Sequence, residues 1–378
     1  MNILYDFQIF SYQKHGGISK YFFNLIKSIS ILNEDNLNLF LYAGLYLSEY
    51  GFKELNNKNL NFIGFKRKEI NHTITLFYNL NSAMFYFYKL VNINKFNNSS
   101  TVFHPTYFGS TNKAANKKNK TVITIYDFIH EKFPEYFKNS RKIIENKKRL
   151  INIADKIICI SNSTKDDLIN YYDIDEKKIE VIYLGCDYLD MFNLESGKRD
   201  LNEKPYILFI GEREGYKNFK ILLDAFYYGK LYKDFNLITF GGKEFNNSEL
   251  GLLQKYSLTD YCKHLSGDDG LLVNTFKNAF CLVYSSYYEG FGLPLIEAMS
   301  LGCPVICSNS SAMAEISNNS ALLFNPSDHE ELTYLIKSIK EDNNLRSKLI
   351  KSGIKNASKF TWKNTAKKTI NLYKSIIN

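Results

Sequence analysis

Short apolar runs of strand-like composition alternate with longer segments of helical periodicity along all 378 residues of the chain. A strand followed by a helix and then by another strand builds a parallel sheet that is covered by helices on both faces. The pattern therefore predicts an α/β protein, and the length is sufficient for two such domains. The predicted strands cover residues 2–6, 37–42, 101–104, 121–126, 156–160 and 179–182, and then 206–211, 236–240, 281–284, 304–307 and 321–324.

The strongest linker signal lies near the middle of the chain. Gly185 is followed by a polar, charged stretch that ends at Pro205. Glycine, proline and charge together are typical of a connection between domains. We predict an N-terminal domain over residues 1–185, a C-terminal domain over residues 186–360, and a terminal helix over residues 361–378.

The positive charge is unevenly distributed. Residues 1–185 contain 25 Lys and Arg against 17 Asp and Glu, whereas residues 186–378 contain 23 against 22. A basic first half suits an anionic membrane surface, a pyrophosphate-linked acceptor or nucleic acid, or is simply a solvated face. We expect no nucleic acid, because no recognition motif accompanies the charge.

Three further features favour a cytoplasmic protein. The six cysteines lie mostly within apolar runs, which predicts buried, reduced thiols. The chain enters a strand pattern at Asn2 without a signal-peptide pattern before it. The apolar segment 74–91 is interrupted by polar residues and is shorter than a membrane span. We predict that this segment forms a buried or groove-lining helix rather than one that dips into a membrane.

The segment from Ser285 to Val305 carries the clearest chemical signal. The predicted strand 281–284 enters a loop with two glycines, and Pro294 fits the first turn of a helix because its missing N–H costs nothing there. Free amide groups near the start of this helix would form an anion site suited to a diphosphate.

Two glutamates flank this predicted anion site. Glu297 is predicted in the first turn of the helix, where its carboxylate can accept two hydrogen bonds from a ribose diol. Glu289 lies eight residues earlier, close to where a sugar attached to the diphosphate would project. Alternatively, the two residues are a helix-terminal charge and a solvated loop residue.

The segment resembles the E-x(7)-E signature of the family 4 retaining glycosyltransferases, with Glu289 and Glu297 at the two glutamate positions. The resemblance implies the GT-B fold, an α/β architecture of two Rossmann-like domains whose parallel sheets face each other across a cleft. It implies that Glu297 binds the donor ribose and that Glu289 faces the transferring sugar, together with the backbone of Gly290, Phe291, Gly292 and Leu293. It also implies that the terminal helix crosses back to the first domain.

A basic loop after the first strand of the second domain is similar to the family's diphosphate clamp. Gly211 opens this loop, and Arg213 and Lys217 would bind phosphate and stabilise charge on the leaving nucleotide. Gly241 ends the next predicted strand, and Gly267 would border the donor base by backbone contact.

In the first half, Gly16 and Gly17 resemble the family's early glycine loop, which approaches the donor. Two segments, residues 104–107 and 126–130, close predicted strands, where α/β sheets place their ligands. They contribute Asp127 as a catalytic candidate and the acceptor-side candidates His104, Tyr107 and His130. Relatives often have histidine directly before this aspartate, whereas this chain has Tyr126.

No cofactor and no essential metal ion are expected, and the donor would act as co-substrate. Asp173 and Asp175 spell a D-x-D motif, but we interpret it as an exposed turn beside three charged residues.

The predicted activity is transfer of a hexose from a nucleoside diphosphate sugar to a hydroxyl, with retention of anomeric configuration. The predicted acceptor is a glycan or lipid-linked glycan of bacterial surface polysaccharide synthesis, reached at the inner face of the cytoplasmic membrane. The alternatives are a nucleotide-sugar epimerase or phosphorylase of the same fold, or a non-catalytic membrane- or nucleic-acid-binding protein.

Overall fold

The computed structural model divides the chain into two compact units. The first unit comprises Met1–Gly185 and Trp362–Asn378, and the second comprises Cys186–Thr361. The structure describes residues 1–32, 34–55, 59–68, 74–109, 118–186, 188 and 204–377.

The first unit contains a seven-stranded sheet in which all strand pairings are parallel. The strand order is β3-β2-β1-β4-β5-β6-β7. After β3 at one edge, the chain returns to the middle of the sheet and places β4 on the free side of β1. The strands are β1 (Asn2–Tyr5), β2 (Asn38–Tyr46), β3 (Leu60–Lys66), β4 (Thr101–His104), β5 (Lys120–Ile125), β6 (Lys156–Cys159) and β7 (Ile179–Val181).

Among the described residues of this unit, eight α-helices accompany the sheet. Ser161 caps one of them, α7, because its hydroxyl accepts a hydrogen bond from the Thr164 amide at 3.0 Å. The helices are α1 (Gln8–Tyr12), α2 (Gly17–Leu32), α3 (Ile74–Val91), α4 (Ile93–Phe96), α5 (Ile129–Lys132), α6 (Ser140–Ile153), α7 (Asn162–Tyr171) and the terminal helix α15 (Trp362–Ser375).

Helix α15 belongs to the first unit although it ends the chain. Its Tyr373 hydroxyl lies 2.9 Å from the Tyr5 hydroxyl, and its Thr365 hydroxyl donates to the Tyr183 carbonyl at 2.8 Å. These buried hydrogen bonds attach the end of the chain to the first sheet.

The second unit contains a six-stranded parallel sheet in the order β10-β9-β8-β11-β12-β13. Its strands are β8 (Tyr206–Ile210), β9 (Asn236–Phe240), β10 (Cys262–Leu265), β11 (Cys281–Tyr284), β12 (Val305–Ser308) and β13 (Leu322–Phe324). Its helices are α8 (Phe219–Tyr228), α9 (Asn247–Lys255), α10 (Asp269–Asn278), α11 (Leu293–Ser300), α12 (Ser311–Ser317), α13 (His329–Glu341) and α14 (Asn343–Ala357).

The strand order of the second sheet identifies where a ligand would bind. The chain builds β8, β9 and β10 outward in one direction and then returns to place β11 on the other side of β8. In open parallel sheets, the crevice at such a reversal is the usual ligand site, at the carboxyl ends of the strands. For this unit that position lies beyond Ile210 and Tyr284.

Two strands were not predicted from the sequence. Strand β3 (Leu60–Lys66) and strand β10 (Cys262–Leu265) are both edge strands, each with one strand neighbour. Polar residues interrupt their apolar pattern because an edge strand is partly exposed.

The prediction of a buried or groove-lining helix over residues 74–91 is confirmed as to the helix, but only one of its two faces is buried. The helix exists as α3, and Tyr78 and Phe85 pack into an aromatic core with Phe7 and Tyr42. The opposite face is exposed and apolar.

The six cysteines are buried and form no disulfide, as predicted. Within the described residues, no helix combines the length and the apolar character that crossing a bilayer would require.

Candidate donor site

Two loops meet at the reversal point of the second sheet. Gly211 ends β8 with a φ of +104°, a backbone conformation that favours glycine, and its amide donates to the Phe240 carbonyl at 2.9 Å. A short turn over Gly215–Lys217 then leads into α8. The backbone is therefore turned sharply at the carboxyl end of β8.

Hydrogen bonds fasten this turn to the loop that follows β11. The Tyr287 amide donates to the Tyr216 carbonyl at 2.8 Å, and the Ser285 hydroxyl donates to the Asn218 carbonyl at 2.9 Å. The Asn218 side chain donates to the Ser285 carbonyl at 3.2 Å. These hydrogen bonds fix the position of the turn before α8 relative to the loop after β11.

A charged pair lies where the two loops meet. The Lys217 ammonium donates to Oε1 of Glu289 at 2.6 Å, and the Ser286 hydroxyl donates to the same oxygen at 2.6 Å. The two charged side chains are 16% and 13% exposed, so they are largely desolvated but accessible. The Glu289 amide donates to the Ser311 hydroxyl at 2.9 Å, which fixes the backbone of the glutamate.

Tyr284 lies next to both predicted glutamates. Burial raises the pKa of its hydroxyl well above the usual value, and the hydrogen bond to Glu289 and the charge of Glu297 raise it further. The hydroxyl therefore remains protonated and can donate to the Glu289 carboxylate. Glu289 and Glu297 thus belong to one electrostatic site.

Helix α11 begins at Leu293, shortly after Glu289 in the chain. Gly292 precedes it with a φ of +95°, and Pro294 lies in its first turn. The first amide groups of a helix have no partner within the helix and carry partial positive charge. In α11, Pro294 has no N–H and the Leu295 amide donates to the Gly292 carbonyl at 2.9 Å, so the helix offers an anion the Leu293 amide and the positive end of its dipole. Anion binding at this helix start stays a prediction.

Glu297 lies deeper in α11 than predicted. The helix starts at Leu293, which places Glu297 in its second turn, where the side chain is buried. Phe291 is also buried, and its ring packs edge-on against Phe360 at 5.8 Å. Phe291 therefore contributes packing through its ring, and any donor contact would come from its backbone and that of Gly290.

The position of Arg213 contradicts the predicted phosphate clamp. Its guanidinium donates to the Glu249 carboxylate at 2.7 Å and to the Lys243 and Glu244 carbonyls, and its side chain is only 3% exposed. It also stacks on the Phe245 ring at 4.8 Å. Because its donors are taken by the segment after β9, Arg213 fastens that segment and is not available to a phosphate.

Gly241 and Gly267 lie at the carboxyl ends of β9 and β10. Gly241 has a φ of +80° and donates to the Leu265 carbonyl at 2.9 Å. A Cβ at Gly267 would lie 2.6 Å from the Leu271 side chain, so that position is tightly packed. Both glycines shape the same edge of the sheet as Gly211.

The glycine pair of the first unit opens α2. A Cβ at Gly16 would collide with the Gln13 side chain, whereas a Cβ at Gly17 would meet nothing within 4 Å. The Gly16 carbonyl accepts hydrogen bonds from Ser19 and Lys20. Gly16 is thus required by local packing, and Gly17 leaves the first turn of α2 open.

His104 does not fit its predicted acceptor-side role. Its ring is fully buried, and the two nitrogens lie 2.6 Å from the Tyr373 hydroxyl and 2.9 Å from the Thr124 hydroxyl. Burial lowers the pKa of the imidazole to about 3, so the ring is neutral. His104 therefore joins α15 to the sheet and does not meet a ligand.

The remaining candidates of the first unit are half-buried. Tyr107 lies just after β4, where its ring contacts Tyr12 edge-on at 6.0 Å. Asp127 follows β5, and its carboxylate accepts from the Ile129 amide at 3.2 Å. His130 lies in α5 against the Phe137 ring, and burial and the charge of Lys147 lower its pKa.

Lys147 holds the Asp127 loop and was not predicted. Its buried ammonium donates to the Asp127 carbonyl and to the Glu131 carboxylate, each at 2.9 Å. Ser286, Tyr284 and Ser311 were also missed in the second unit. Ser286 could have been found from its place beside Glu289, whereas no local signal marks the other residues.

The described residues contain no group of three or more His, Cys, Asp or Glu side chains that could hold a metal ion. Asp175 caps a short turn by accepting from the Lys177 amide at 2.9 Å.

Comparison with known proteins agrees with this geometry. The sequence model described as Glycosyl transferases group 1 matches residues 192–356, and that described as Glycosyltransferase Family 4 matches residues 71–188. The O-antigen chain mannosyltransferase B of Escherichia coli is 28% identical over 282 residues, which are 71% of this chain and 74% of that protein. The O-antigen chain mannosyltransferase RfbU of Salmonella typhimurium is 28% identical over 229 residues, 59% of this chain and 62% of that protein.

A solved structure shows the same fold. The Anabaena protein Alr3699/HepE, in complex with UDP and glucose, is similar with a TM-score of 0.70 at 16% identity, over 99% of each chain. Two parallel Rossmann-like sheets and this likeness define the fold as GT-B, and the two matching sequence models define the class as glycosyltransferases. The chain belongs to the group 1, or family 4, glycosyltransferases, as the Glu289–Glu297 segment predicts.

Proposed function

We propose that this glycosyltransferase transfers a hexose from a nucleoside diphosphate sugar to a hydroxyl of a glycan or lipid-linked acceptor, with retention of configuration. The two O-antigen mannosyltransferases among its relatives support a role in bacterial surface polysaccharide synthesis and make mannose the first sugar to test. We place this activity at the inner face of the cytoplasmic membrane.

The observation that carries the proposal is the Lys217–Glu289 pair beside the start of α11. A lone surface pair would be exposed, whereas this one is desolvated and lies at the reversal point of a parallel sheet. Its ammonium has two further N–H groups besides the one that binds Glu289. A diphosphate bound at the start of α11, near the Leu293 amide, could accept from these two N–H groups without breaking the pair.

Positive charge at this position would assist departure of the nucleotide. As the bond between the sugar C1 and the phosphate oxygen breaks, negative charge builds on the diphosphate. Lys217 and the start of α11 would stabilise this charge more in the transition state than in the bound donor, which is what accelerates a reaction. We propose that these groups suffice without a divalent ion.

Retention would follow from substitution on one face of the sugar. C1 loses its bond to the phosphate oxygen and forms a bond to the acceptor oxygen on the same face, while the acceptor proton passes to the departing phosphate. Glu289 would orient the sugar and stabilise the positive charge at C1. Tyr107 and His130 are the residues of the first unit that we assign to the acceptor, and Asp127 is its catalytic candidate.

Glu297 has a different role in this proposal. Its buried carboxylate would bind the donor ribose, while the phosphates lie at the start of the same helix. A two-carboxylate hydrolase would need both glutamates beside one glycosidic bond. With Glu297 on the ribose, that arrangement is not formed.

The test supplies purified protein with GDP-mannose, UDP-glucose and other donors, together with a lipid-linked glycan extract and EDTA. The expected product is a glycan lengthened by one hexose, and proton NMR of its anomeric signal should show the configuration of the donor. Glu341→Gln, an exposed glutamate on α13, is the matched control for Glu289→Gln. Inverted configuration, loss of turnover with EDTA, or donor conversion without any acceptor would each contradict a stated part of the proposal.

A further inference from the structure

Helix α3 has two apolar faces, of which folding of its unit covers only one. Tyr78, Phe85 and Tyr88 pack toward the sheet. On the opposite side, a stripe of large apolar side chains between 40% and 67% exposed recurs every three or four residues, which places them on one face of the helix. The stripe consists of Leu76, Leu80, Met84, Phe87 and Val91.

The exposed surface continues onto the neighbouring edge strand. Ile63 of β3 pairs with Tyr42 of β2, so their side chains share one face of the sheet. Tyr42 packs against Phe85 and Tyr88, which identifies this face as the one that α3 covers. Ile63 and Phe65 are 41% and 68% exposed beside the helix. We call Ile63, Phe65 and the stripe on α3 the apolar face.

Exposed apolar side chains are unusually concentrated in this part of the surface. Of the 20 large hydrophobic residues that are exposed within the described residues, ten lie between Ile63 and Ile93. Single exposed apolar residues need no explanation, but contiguous apolar surface marks an interaction site. The apolar face is therefore a candidate interaction site.

Basic residues lie near both ends of α3, although Lys89 is turned inward over the Phe85 and Phe103 rings and Lys66 pairs with Glu49. Residues 59–100 contain one acidic residue, Glu69, and five basic ones, namely Lys66, Arg67, Lys68, Lys89 and Lys95. Three precede α3, and the others lie at its last turn and just after it. The Arg67 guanidinium lies 4.5 Å from the Phe77 ring, which ties the basic end of β3 to the first turn of α3.

This charge distinguishes between two occupants. A second copy of the chain would bring two basic sets together, which is repulsive. An anionic bilayer would accept the apolar side chains into its interfacial region and attract exposed cations such as Lys68 and Lys95 to its headgroups. Since no described helix can cross a membrane, α3 would lie in the plane of the bilayer surface.

We propose that the apolar face docks this protein on an anionic bilayer, with α3 immersed at the level of the lipid headgroups. This docking is separate from the donor chemistry of the second unit and does not depend on it. It would bring the enzyme to lipid-linked acceptors if the proposed function holds.

The first test is flotation of the full chain with vesicles of 30% phosphatidylglycerol in phosphatidylcholine, and with pure phosphatidylcholine. Leu80→Glu combined with Phe87→Glu should weaken binding by at least about a hundredfold, because each buried large apolar side chain contributes roughly tenfold. Ile31→Glu, at an equally exposed apolar position on α2, is the matched control and should bind as the parent does. Vesicle binding that survives the double substitution would overturn the proposal.

A second test does not depend on weakening the helix. Trp362 is the only tryptophan and is buried, so Phe87→Trp adds one exposed reporter on α3. Its emission should shift to shorter wavelength with anionic vesicles and be quenched by brominated lipids, whereas Tyr334→Trp on α13 should do neither. An unquenched Phe87→Trp would overturn the proposal, as would a concentration-dependent dimer that the glutamate pair abolishes. Nucleotide binding, measured in the same variants, should be unchanged, so that failure of docking is distinguishable from failure of the donor site.

Discussion

The Lys217 ammonium and the Glu289 carboxylate lie 2.6 Å apart and join the turn after β8 to the loop after β11. These residues are 72 positions apart in the chain, and the parallel sheet brings them together because β8 and β11 are neighbouring strands. The donor site that we propose is built around this pair.

Replacing either member of the pair should reduce turnover. Glu289→Gln keeps the shape and can still accept from Ser286, but it loses the charge that Lys217 pairs with. We expect kcat/KM to fall about 10²–10³-fold, which is typical for one electrostatic group at a reacting centre. Lys217→Met should have a comparable effect.

The double variant tests whether the residues act as one unit. Because contacting residues are coupled, its loss should be smaller than the product of the two single losses. Initial rates with saturating acceptor measure this, and Lys255→Met on α9 serves as an exposed lysine control. Fully multiplicative losses would contradict a functional pair.

Arg213 should matter for stability rather than for donor affinity. Arg213→Met leaves the Glu249 carboxylate, 14% exposed, without its partner, which should cost about 3–5 kcal/mol in unfolding free energy. Glu249→Gln in the same chain should recover part of this loss, since the uncompensated charge is removed. Denaturant unfolding and nucleotide titration of the same variants measure both quantities. If Arg213→Met weakened nucleotide affinity and left the stability unchanged, Arg213 would be a phosphate ligand after all.

His104 should contribute to acid sensitivity and not to catalysis. Its folded pKa is about 3, below the unfolded value of roughly 6.5, so the unfolded chain binds more protons at this residue between these values. Its contribution to stability is therefore complete above about pH 6.5 and is lost as the pH falls toward 3. His104→Gln should reduce the slope of unfolding free energy against pH in this range by up to about 1.4 kcal/mol per pH unit. Unfolding free energies at several pH values check this, and equal slopes would contradict a neutral, buried imidazole.

The sequence predicts well what local chemistry determines. The glycine turn at Gly211 and the proline-containing start of α11 both depend on residues close to one another in the chain. The predicted anion site before α11 rests on local residues for the same reason, and anion binding there stays a prediction.

Other features depend on distant partners. Arg213 has the residue type of a phosphate ligand, but its partner Glu249 lies 36 positions away and occupies its guanidinium. His104 follows a strand where ligands often bind, but the terminal helix covers it with Tyr373. The apolar periodicity of α3 fits burial equally well on either face, so the sequence could not show that one face stays exposed.

The most direct measurement is calorimetric titration of the parent protein and Glu297→Ala with GDP and UDP. The account predicts that the parent binds one of these nucleotides, and that Glu297→Ala binds it about 10–100-fold more weakly, since a carboxylate that accepts hydrogen bonds is worth roughly 1.5–3 kcal/mol. Glu341→Gln should bind as the parent does. Equal affinity of the parent and a folded Glu297→Ala protein would contradict a nucleotide held along α11.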